Sequence, residues 1–595
     1  MSKQAKKHSQ LQYFKYFRKF IGWHIYSYIF INFLVGLLDG LGLAMFVPLL
    51  SIASHTANNE SLGKLQFLLD FLVNMGFELN LLNALILMIG LFILKGIFFY
   101  IRILYFTKIR QVTIRKIRLK LINGLQNLSY QGFTNMDAGK IQNNMVGETA
   151  RLVNAMSQYF NVMQHLIMLL TYVMLAFASN WKFAIMVGVG GFISNILFRY
   201  INKLTKEYSR KQTLISNNFN GNLIQSIQNF KYLKATGYFP RYGEKLKYNI
   251  SKAEELNFNL GKIGAISESL REPLIIIIIA FVILIQVNVM GGSFASILVS
   301  LLLFYRALAH LATLQSSWNI FLGASAGIES IEALLSDFDT YKEPYHKEKI
   351  NSINAINLKD VSLKFGAYPV LKDINMTISQ KTSIALVGES GAGKTTLANV
   401  ICGLQPSDEG NILIDGKDLY KSDILSFRKK VGYITQESVI FSDSVFNNVT
   451  FWAEKTDENL KKFWNVIQMV SLENFVKTLE FLEDSPLGHN GVLVSGGQKQ
   501  RISIARELFK DCELLVLDEA TSALDSETEL HIKENIDLLQ GKCTIIIIAH
   551  RLSTIKDTDV VYLLDKGKII ESGSYNELSE KSIRFKKMLD LQNVT

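Results

Sequence analysis

Residues 388 to 396 read G-E-S-G-A-G-K-T-T, and this stretch decides how the rest of the chain is read. It matches G-x-x-x-x-G-K-[ST], and the run Ile384 to Val387 before it is apolar enough for a buried strand, while Thr395 to Cys402 after it suits a helix. In that setting the backbone N–H groups of Gly388, Glu389, Ser390, Gly391, Ala392 and Gly393 close around phosphate oxygens at a helix N-terminus. Lys394 adds a point charge near the β and γ phosphates, the Thr395 hydroxyl suits Mg²⁺, and Thr396 continues the helix start. A glycine-rich turn that merely precedes a lysine would not carry the whole pattern between a strand and a helix.

The chain around this loop has two characters. At 595 residues it exceeds one ordinary domain, and 49% hydrophobic with 19% charged residues suggests a membrane part joined to a soluble part. The net charge of +11 fits basic loops beside membrane spans better than a nucleic-acid surface, so no nucleic-acid partner beyond the nucleotide is expected. Cys402, Cys512 and Cys543 lack metal-ligand spacing and all lie in the half with the phosphate loop, where they read as reduced packing residues.

A span needs about 20 apolar residues. Six segments qualify, near 24–50, 81–106, 155–178, 182–202, 264–289 and 294–315. Lys108, Arg110, Arg115, Lys116, Arg118 and Lys120 follow the second, and Lys203, Lys206, Arg210, Lys211, Lys231 and Lys234 follow the fourth, whereas 51–80 holds only Lys64. The positive-inside rule then puts both termini and both long basic loops in the cytoplasm, in a multi-pass protein of the plasma (inner) membrane. Those loops are helix-prone, so spans two to five are expected to continue into the cytoplasm and reverse near 135–145 and 221–228. Tyr13, Phe14, Phe17 and Phe20, interleaved with Lys15, Arg18 and Lys19, suggest a basic amphipathic helix on the membrane surface. The outer segment 61–76 reads as a short apolar helix that lies in the outer interface, covers a lateral opening or packs on the spans. A transmembrane domain over 1–335, a linker over 336–350 and a soluble α/β domain with a parallel sheet core over 351–595 complete the division.

Leu514 to Glu519, L-L-V-L-D-E, is an apolar strand ending in two acids, which suits Asp518 to Mg²⁺ and Glu519 to the water attacking the γ phosphate. V-S-G-G-Q at Val494 to Gln498, followed by Lys499, Gln500 and Arg501, resembles the signature of ATP-binding cassette transporters, and six preceding spans resemble the exporter half-transporter. The resemblance covers essentially the whole chain. It implies that Gln436 in Y-I-T-Q-E senses Mg²⁺ and the membrane domain, that Asp525 in S-A-L-D lies in a loop crossing between partners, and that His550 in I-I-A-H-R contacts the γ phosphate. The aromatic that stacks on adenine falls on Phe365 by spacing, with Tyr368 close behind. Ser495, Gly496, Gly497 and Gln498, at a helix start, offer N–H and hydroxyl donors to a phosphate. In the family that phosphate belongs to a nucleotide on the other partner's loop, so pairing with a second copy of the chain or a close relative is implied, the homodimer being the economical choice. One departure stands out: S-P-L-G-H-N-G precedes the signature, with Pro486 and His489 where acids are usual.

The cargo must be read from the spans, where ionisable groups are costly and tend to face a cavity. Asp39, Lys95, Arg102, Arg271 and Arg306 are the candidates. A rise of about 1.5 Å per residue sets Lys95 and Arg306 near mid-membrane, while Arg102 and Arg271 fall near the cytosolic boundary, within snorkelling reach. Two copies would then place four positive charges around one cavity. The expectation is an ATP-hydrolysing flippase or exporter for an amphipathic, anionic, lipid-like substrate moved outward by alternating access. A peptide or drug exporter is the alternative, and a gated channel the reading from a different class, disfavoured by an intact Glu519.

Overall fold

The computed structural model describes residues 10–45, 81–179, 181–288, 294–518, 539–549 and 552–593. The outer segment 61–76, Glu519, Asp525 and His550 lie outside the described residues. The chain forms two compact units, one of Met1–Leu128 with Gly132–Lys342 and one of Ser129–Gln131 with Glu343–Thr595.

The first unit is built on long helices. Helix α1 (Gln10–Ile21) precedes α2 (His24–Ala44), α3 (Leu81–Gln126), the short α4 (Ala138–Asn143), α5 (Thr149–Ser179), α6 (Trp181–Gln228), α7 (Phe239–Ser269), α8 (Arg271–Asn288), α9 (Phe294–Ala324) and α10 (Ala326–Thr340). With 46 residues α3 is about 69 Å long, twice what a hydrocarbon core needs. Its first half presents Ile86, Ile89, Ile93 and Ile97 outward, and its second half carries the basic run. Among the described residues, His24–Leu43, Leu81–Gln126 and Ala138–Phe177 are individually long and apolar enough to cross a membrane. Helices α6, α8 and α9 run through the other three expected segments.

Four expectations change here. The reversals fall at 127–137 and 229–238; the first lies earlier than expected because the Asp137 side chain caps α4 by accepting from the Lys140 amide at 2.8 Å, and a π-turn at Asn144–Glu148 joins α4 directly to α5. The fifth segment is two helices parted at Leu270, where Pro273 lacks the N–H that would reach the Ser269 carbonyl. The linker expected from residue 336 remains helical to Thr340, because Leu334, Leu335 and Phe338 are buried on one face of α10. Finally, the aromatic face of α1 is covered by protein. Tyr13 meets Phe321 edge-on at 4.8 Å, Phe17 meets Tyr159 at 5.0 Å, and both side chains are buried. The amphipathic pattern was real, but α5 and α9, not lipid, receive it.

Close packing and buried polar ties hold the bundle. Gly36 and Gly40, one turn apart on α2, face α5; a Cβ at Gly40 would lie 2.3 Å from Leu175 Cδ1. Below, Arg151 donates to Glu148 at 3.2 Å, Thr213 Oγ1 at 2.5 Å, Ser209 Oγ at 2.8 Å and the Gly323 carbonyl at 3.1 Å, tying α5, α6 and α9 together.

The second unit is α/β. One sheet, of β1 (Ala355–Phe365), β2 (Tyr368–Ser379), β4 (Glu409–Ile414) and β5 (Lys417–Asp418), has strand order β2-β1-β4-β5, and the other has β10-β9-β3-β8-β7-β6. In the second, β3 (Ser383–Gly388), β6 (Val431–Ile434), β7 (Leu514–Asp518), β8 (Thr544–Ile548) and β9 (Val560–Asp565) pair in parallel, and β10 (Lys568–Gly573) joins β9 antiparallel, so the sheet is mixed. Strand β3 is buried from Ser383 to Val387, as its unbroken apolar run requires when both faces are covered.

Candidate functional site

The register of the six-stranded sheet assembles the site. Leu386 pairs with Ile548, Asp518 with Ile548, and Ile434 with Leu517. The chain therefore leaves β3, β6, β7 and β8 along one sheet edge, carrying the phosphate loop, Asp518 and Gln436 to the same place, outside the carboxyl ends of the strands.

After β3 the loop turns into α11 (Lys394–Ile401), whose N-cap Gly393 is left-handed at φ 100°. A side chain there would approach Leu371 Cδ2 at 3.0 Å and the Val370 carbonyl at 3.1 Å. The loop is clamped from outside as well: the Gly567 amide donates to the Ala392 carbonyl at 3.2 Å. Lys394 is buried, and its ammonium donates to the carbonyls of Gly388 at 2.8 Å and Glu389 at 3.0 Å, which holds the charge across the loop. Gly391 and Thr395 are exposed beside it.

Asp518 is buried at the end of β7 and accepts from the Tyr433 hydroxyl at 3.2 Å. The same hydroxyl lies 3.3 Å from Asn399 Oδ1 on α11, so it links the acid strand to the phosphate-loop helix. Burial, then the Asp518 carboxylate, pushes the Tyr433 phenol far above its ordinary range and keeps it a neutral donor. Gln436 is exposed two residues beyond β6.

The signature begins a helix as expected. Ser495 caps α14 (Gly496–Phe509, following α12 at Val445–Thr450 and α13 at Asp457–Met469): its Oγ accepts from the Gln498 amide at 3.3 Å, and the Gln498 side chain accepts from the Ser495 amide at 2.8 Å. That box uses the Gln498 amide internally. The first-turn donors aimed past the helix end are then the Gly496 and Gly497 amides, with the Ser495 hydroxyl proton. At the other side of α14 the buried Arg506 donates to the Val439 carbonyl at 2.9 Å and the Asn448 carbonyl at 2.7 Å, linking the segment after Gln436 to the signature helix. Arg506 and Tyr433 were missed from sequence. Tyr433 stands in the quoted Y-I-T-Q-E, but nothing in that string tells which way its hydroxyl points.

Phe365 and Tyr368 are directly paired across the β1–β2 hairpin and both exposed, so the two rings share one face of the turn. The departing segment before the signature is packed in place: the Leu487 amide donates to the Asp443 carbonyl at 3.0 Å, and His489 Nδ1 lies 3.4 Å from Ser442 Oγ.

In the helical unit, Lys95 does not stand alone. Its ammonium donates to Asp39 Oδ1 at 2.5 Å, and the Tyr172 hydroxyl donates to Asp39 Oδ2 at 2.5 Å. The pair crosses from α2 to α3, and Tyr172 stacks on His310, whose Nδ1 is 3.1 Å from His165 Nδ1. The expectation of four positive charges from Lys95 and Arg306 is thus corrected, because Asp39 neutralises Lys95. Arg306 is exposed on α9. Arg102 is buried with its guanidinium 4.3 Å from the Phe99 ring centre, so it does not snorkel. Arg271 begins α8, and its side chain lies outside the described residues.

Two family models match this chain, the ABC transporter transmembrane region over residues 25–309 and the ABC transporter model over 371–522. The chain belongs to the ABC transporters. It has the fused arrangement of an ABC half-transporter, and its ATPase drives movement across a membrane. Similar ABC transporters include the ATP-dependent lipid A-core flippase of Francisella tularensis, 27% identical over 507 residues (83% of this chain and 82% of the relative). That of Wigglesworthia glossinidia brevipalpis is 29% identical over 495 residues, covering 80% and 83%. A bacterial Atm1-family ABC exporter solved with ATP bound aligns with a TM-score of 0.79 over 96% of this chain and 98% of its own, and at 22% identity that likeness speaks to the fold.

Proposed function

We propose that two copies of this chain form a flippase in the inner membrane that moves an anionic, lipid-like amphiphile outward at the expense of ATP. The observation that carries the cargo class is the set of relatives named as lipid A-core flippases, aligned over membrane and ATPase regions alike. In this reading each chain contributes six spans, a transmembrane domain over 1–335 and a nucleotide-binding domain over 351–595, with both termini in the cytoplasm.

The chemistry follows from the sheet edge. Lys394 and the loop amides bind and orient the phosphates, Phe365 or Tyr368 stacks on the base, and Gly496, Gly497 and Ser495 of the partner copy donate to the terminal phosphate. The residues present fit Mg²⁺: the Asp518 carboxylate is fixed by a neutral phenol, and the Thr395 hydroxyl is exposed at the helix start. When bound, the ion supplies positive charge against the phosphates. Glu519 is assigned to orienting the attacking water, His550 and Gln436 to contacts around the γ phosphate, and Asp525 to the loop between copies. Arg306 is the residue assigned to the anionic headgroup, with Lys95 and Asp39 as a neutral pair behind it.

Reconstitution in liposomes tests this. Phosphorylated glycolipid is expected to stimulate ATP hydrolysis severalfold, and Arg306→Ala to lose that stimulation while keeping basal turnover. Equal stimulation by neutral amphiphiles or by peptides would favour the peptide or drug exporter. Transport that continues in Glu519→Gln would overturn the pump itself.

A further inference from the structure

At the N-terminal ends of β7 and β8, opposite the phosphate loop, lies a cavity of about 590 Å³. Cys512 and Cys543 both line it. Strand pairing brings them together. Leu514 is the partner of Thr544, and the Thr544 amide donates to the Glu513 carbonyl at 2.9 Å, so the turns just before the two strands run side by side. The Cys543 thiol donates to the Leu539 carbonyl at 3.9 Å, and each cysteine is the largest electrostatic influence on the other's thiol. Cys512 is half-buried and Cys543 nearly enclosed, yet both face the same cavity. Cys402 belongs to a different part of the core.

We propose that Cys512 and Cys543 are a hydroperoxide-responsive thiol pair whose disulfide slows the ATPase. Neighbouring Cys512 is the largest influence on the Cys543 thiol and draws it below its ordinary range; burial opposes this and the Lys542 ammonium adds to it. Cys543 sulfur attacks one oxygen of the hydroperoxide, the O–O bond breaks, and a protonated leaving oxygen departs as water or alcohol. The Cys543 sulfenic acid is then attacked by Cys512 sulfur, which forms the S–S bond and releases water carrying the Cys512 proton. Two external thiols reverse this, leaving as their own disulfide while both cysteines regain protons.

The consequence for turnover runs through α14. Cys512 follows that helix by three residues, and the adjacent Lys510 ammonium already ties its end to the Arg428 carbonyl at 3.0 Å and the Val431 carbonyl at 2.5 Å. A covalent bond to Cys543 fixes the same end to β8. The far end of the helix carries Ser495 to Gln498, so the signature loses freedom to re-aim.

The test uses purified full-length protein in lipid nanodiscs, treated with hydrogen peroxide, alkylated under denaturing conditions and analysed by intact and peptide mass. The expected result is loss of two hydrogens, a peptide joining Cys512 to Cys543, Cys402 still alkylated, and ATP turnover reduced by about fivefold, the lower end of ordinary coupling between sites. Dithiothreitol restores turnover. Cys512→Ser and Cys543→Ala keep untreated turnover and lose the response to peroxide, and the wild-type mass measurement stands even if a variant folds poorly. Both cysteines alkylated after peroxide, a disulfide between chains, or equal loss of turnover in Cys512→Ser would each overturn the proposal. The mass readout is independent of transport, so failure of the flippase reading leaves it intact.

Discussion

Replacing Asp39 by Ala leaves Lys95 without its countercharge in the helical unit. Side-chain exposure is 27% for Lys95 and 8% for Asp39, so water cannot replace the lost partner fully. Breaking such a pair costs about 3 kcal/mol, from the range of 3–5 kcal/mol for buried pairs and 2.5–3.5 kcal/mol for a lone Lys in a span. Tyr172 also loses its acceptor, adding about 1 kcal/mol. The double variant Asp39→Ala/Lys95→Met removes both charges and is expected to recover most of the first cost while retaining the second. Thermal inactivation half-life in nanodiscs, followed by lipid-stimulated ATPase, reads this out, with Asp39→Ala falling by roughly three orders of magnitude when the whole cost of about 4 kcal/mol appears in the unfolding rate. A double variant no more stable than Asp39→Ala, or an Asp39→Ala protein as durable as wild type, would refute the ion-pair reasoning. Retained lipid stimulation in the double variant is expected, because Arg306, not Lys95, is assigned to the headgroup.

Lys394→Ala is expected to lower ATP turnover by about two to three orders of magnitude, the ordinary cost of removing a preorganised charge from a phosphate site, with stability little changed. Gly388→Ala would place a Cβ 2.3 Å from the Leu564 carbonyl oxygen, and nucleotide binding measured by fluorescence titration should fail along with a loss of about 1–3 kcal/mol in stability. Tyr433→Phe removes the hydroxyl bonded to Asp518 and should raise the Mg²⁺ concentration needed for half-maximal ATPase, with about 1 kcal/mol of destabilisation. Burial raises the Glu507 carboxyl above its ordinary value. The folded chain therefore binds that proton more tightly than the unfolded chain. Its stabilising contribution is present below about pH 4.5 and is lost as pH rises through the higher folded value; Glu507→Gln should flatten the stability profile in that window.

The phosphate loop and the signature were legible because their function is local. Nine consecutive residues from Gly388 dictate a strand, a turn and a helix start, and Ser495 with Gln498 dictate a cap three residues long. The Asp39 to Lys95 pair was not legible, because each residue alone looks like a costly charge and only the packing of α2 on α3 makes them one neutral unit. Arg102 looked like a snorkelling residue by position, but burial against Phe99 decided otherwise.

From the sequence alone came a membrane helical domain, an ATPase domain and the order of their motifs, since hydrophobic run length and short-range hydrogen bonding depend on neighbours in the chain. Tertiary structure decided which faces those elements turn to one another. Helix α1 is amphipathic by sequence, yet only packing shows that protein covers its aromatic face. Cys512 and Cys543 are 31 positions apart in the chain and become neighbours only because β7 and β8 pair in parallel, with Leu514 beside Thr544. Periodicity fixes where side chains point around their own element, whereas contacts between elements depend on register and crossing, which no local pattern encodes.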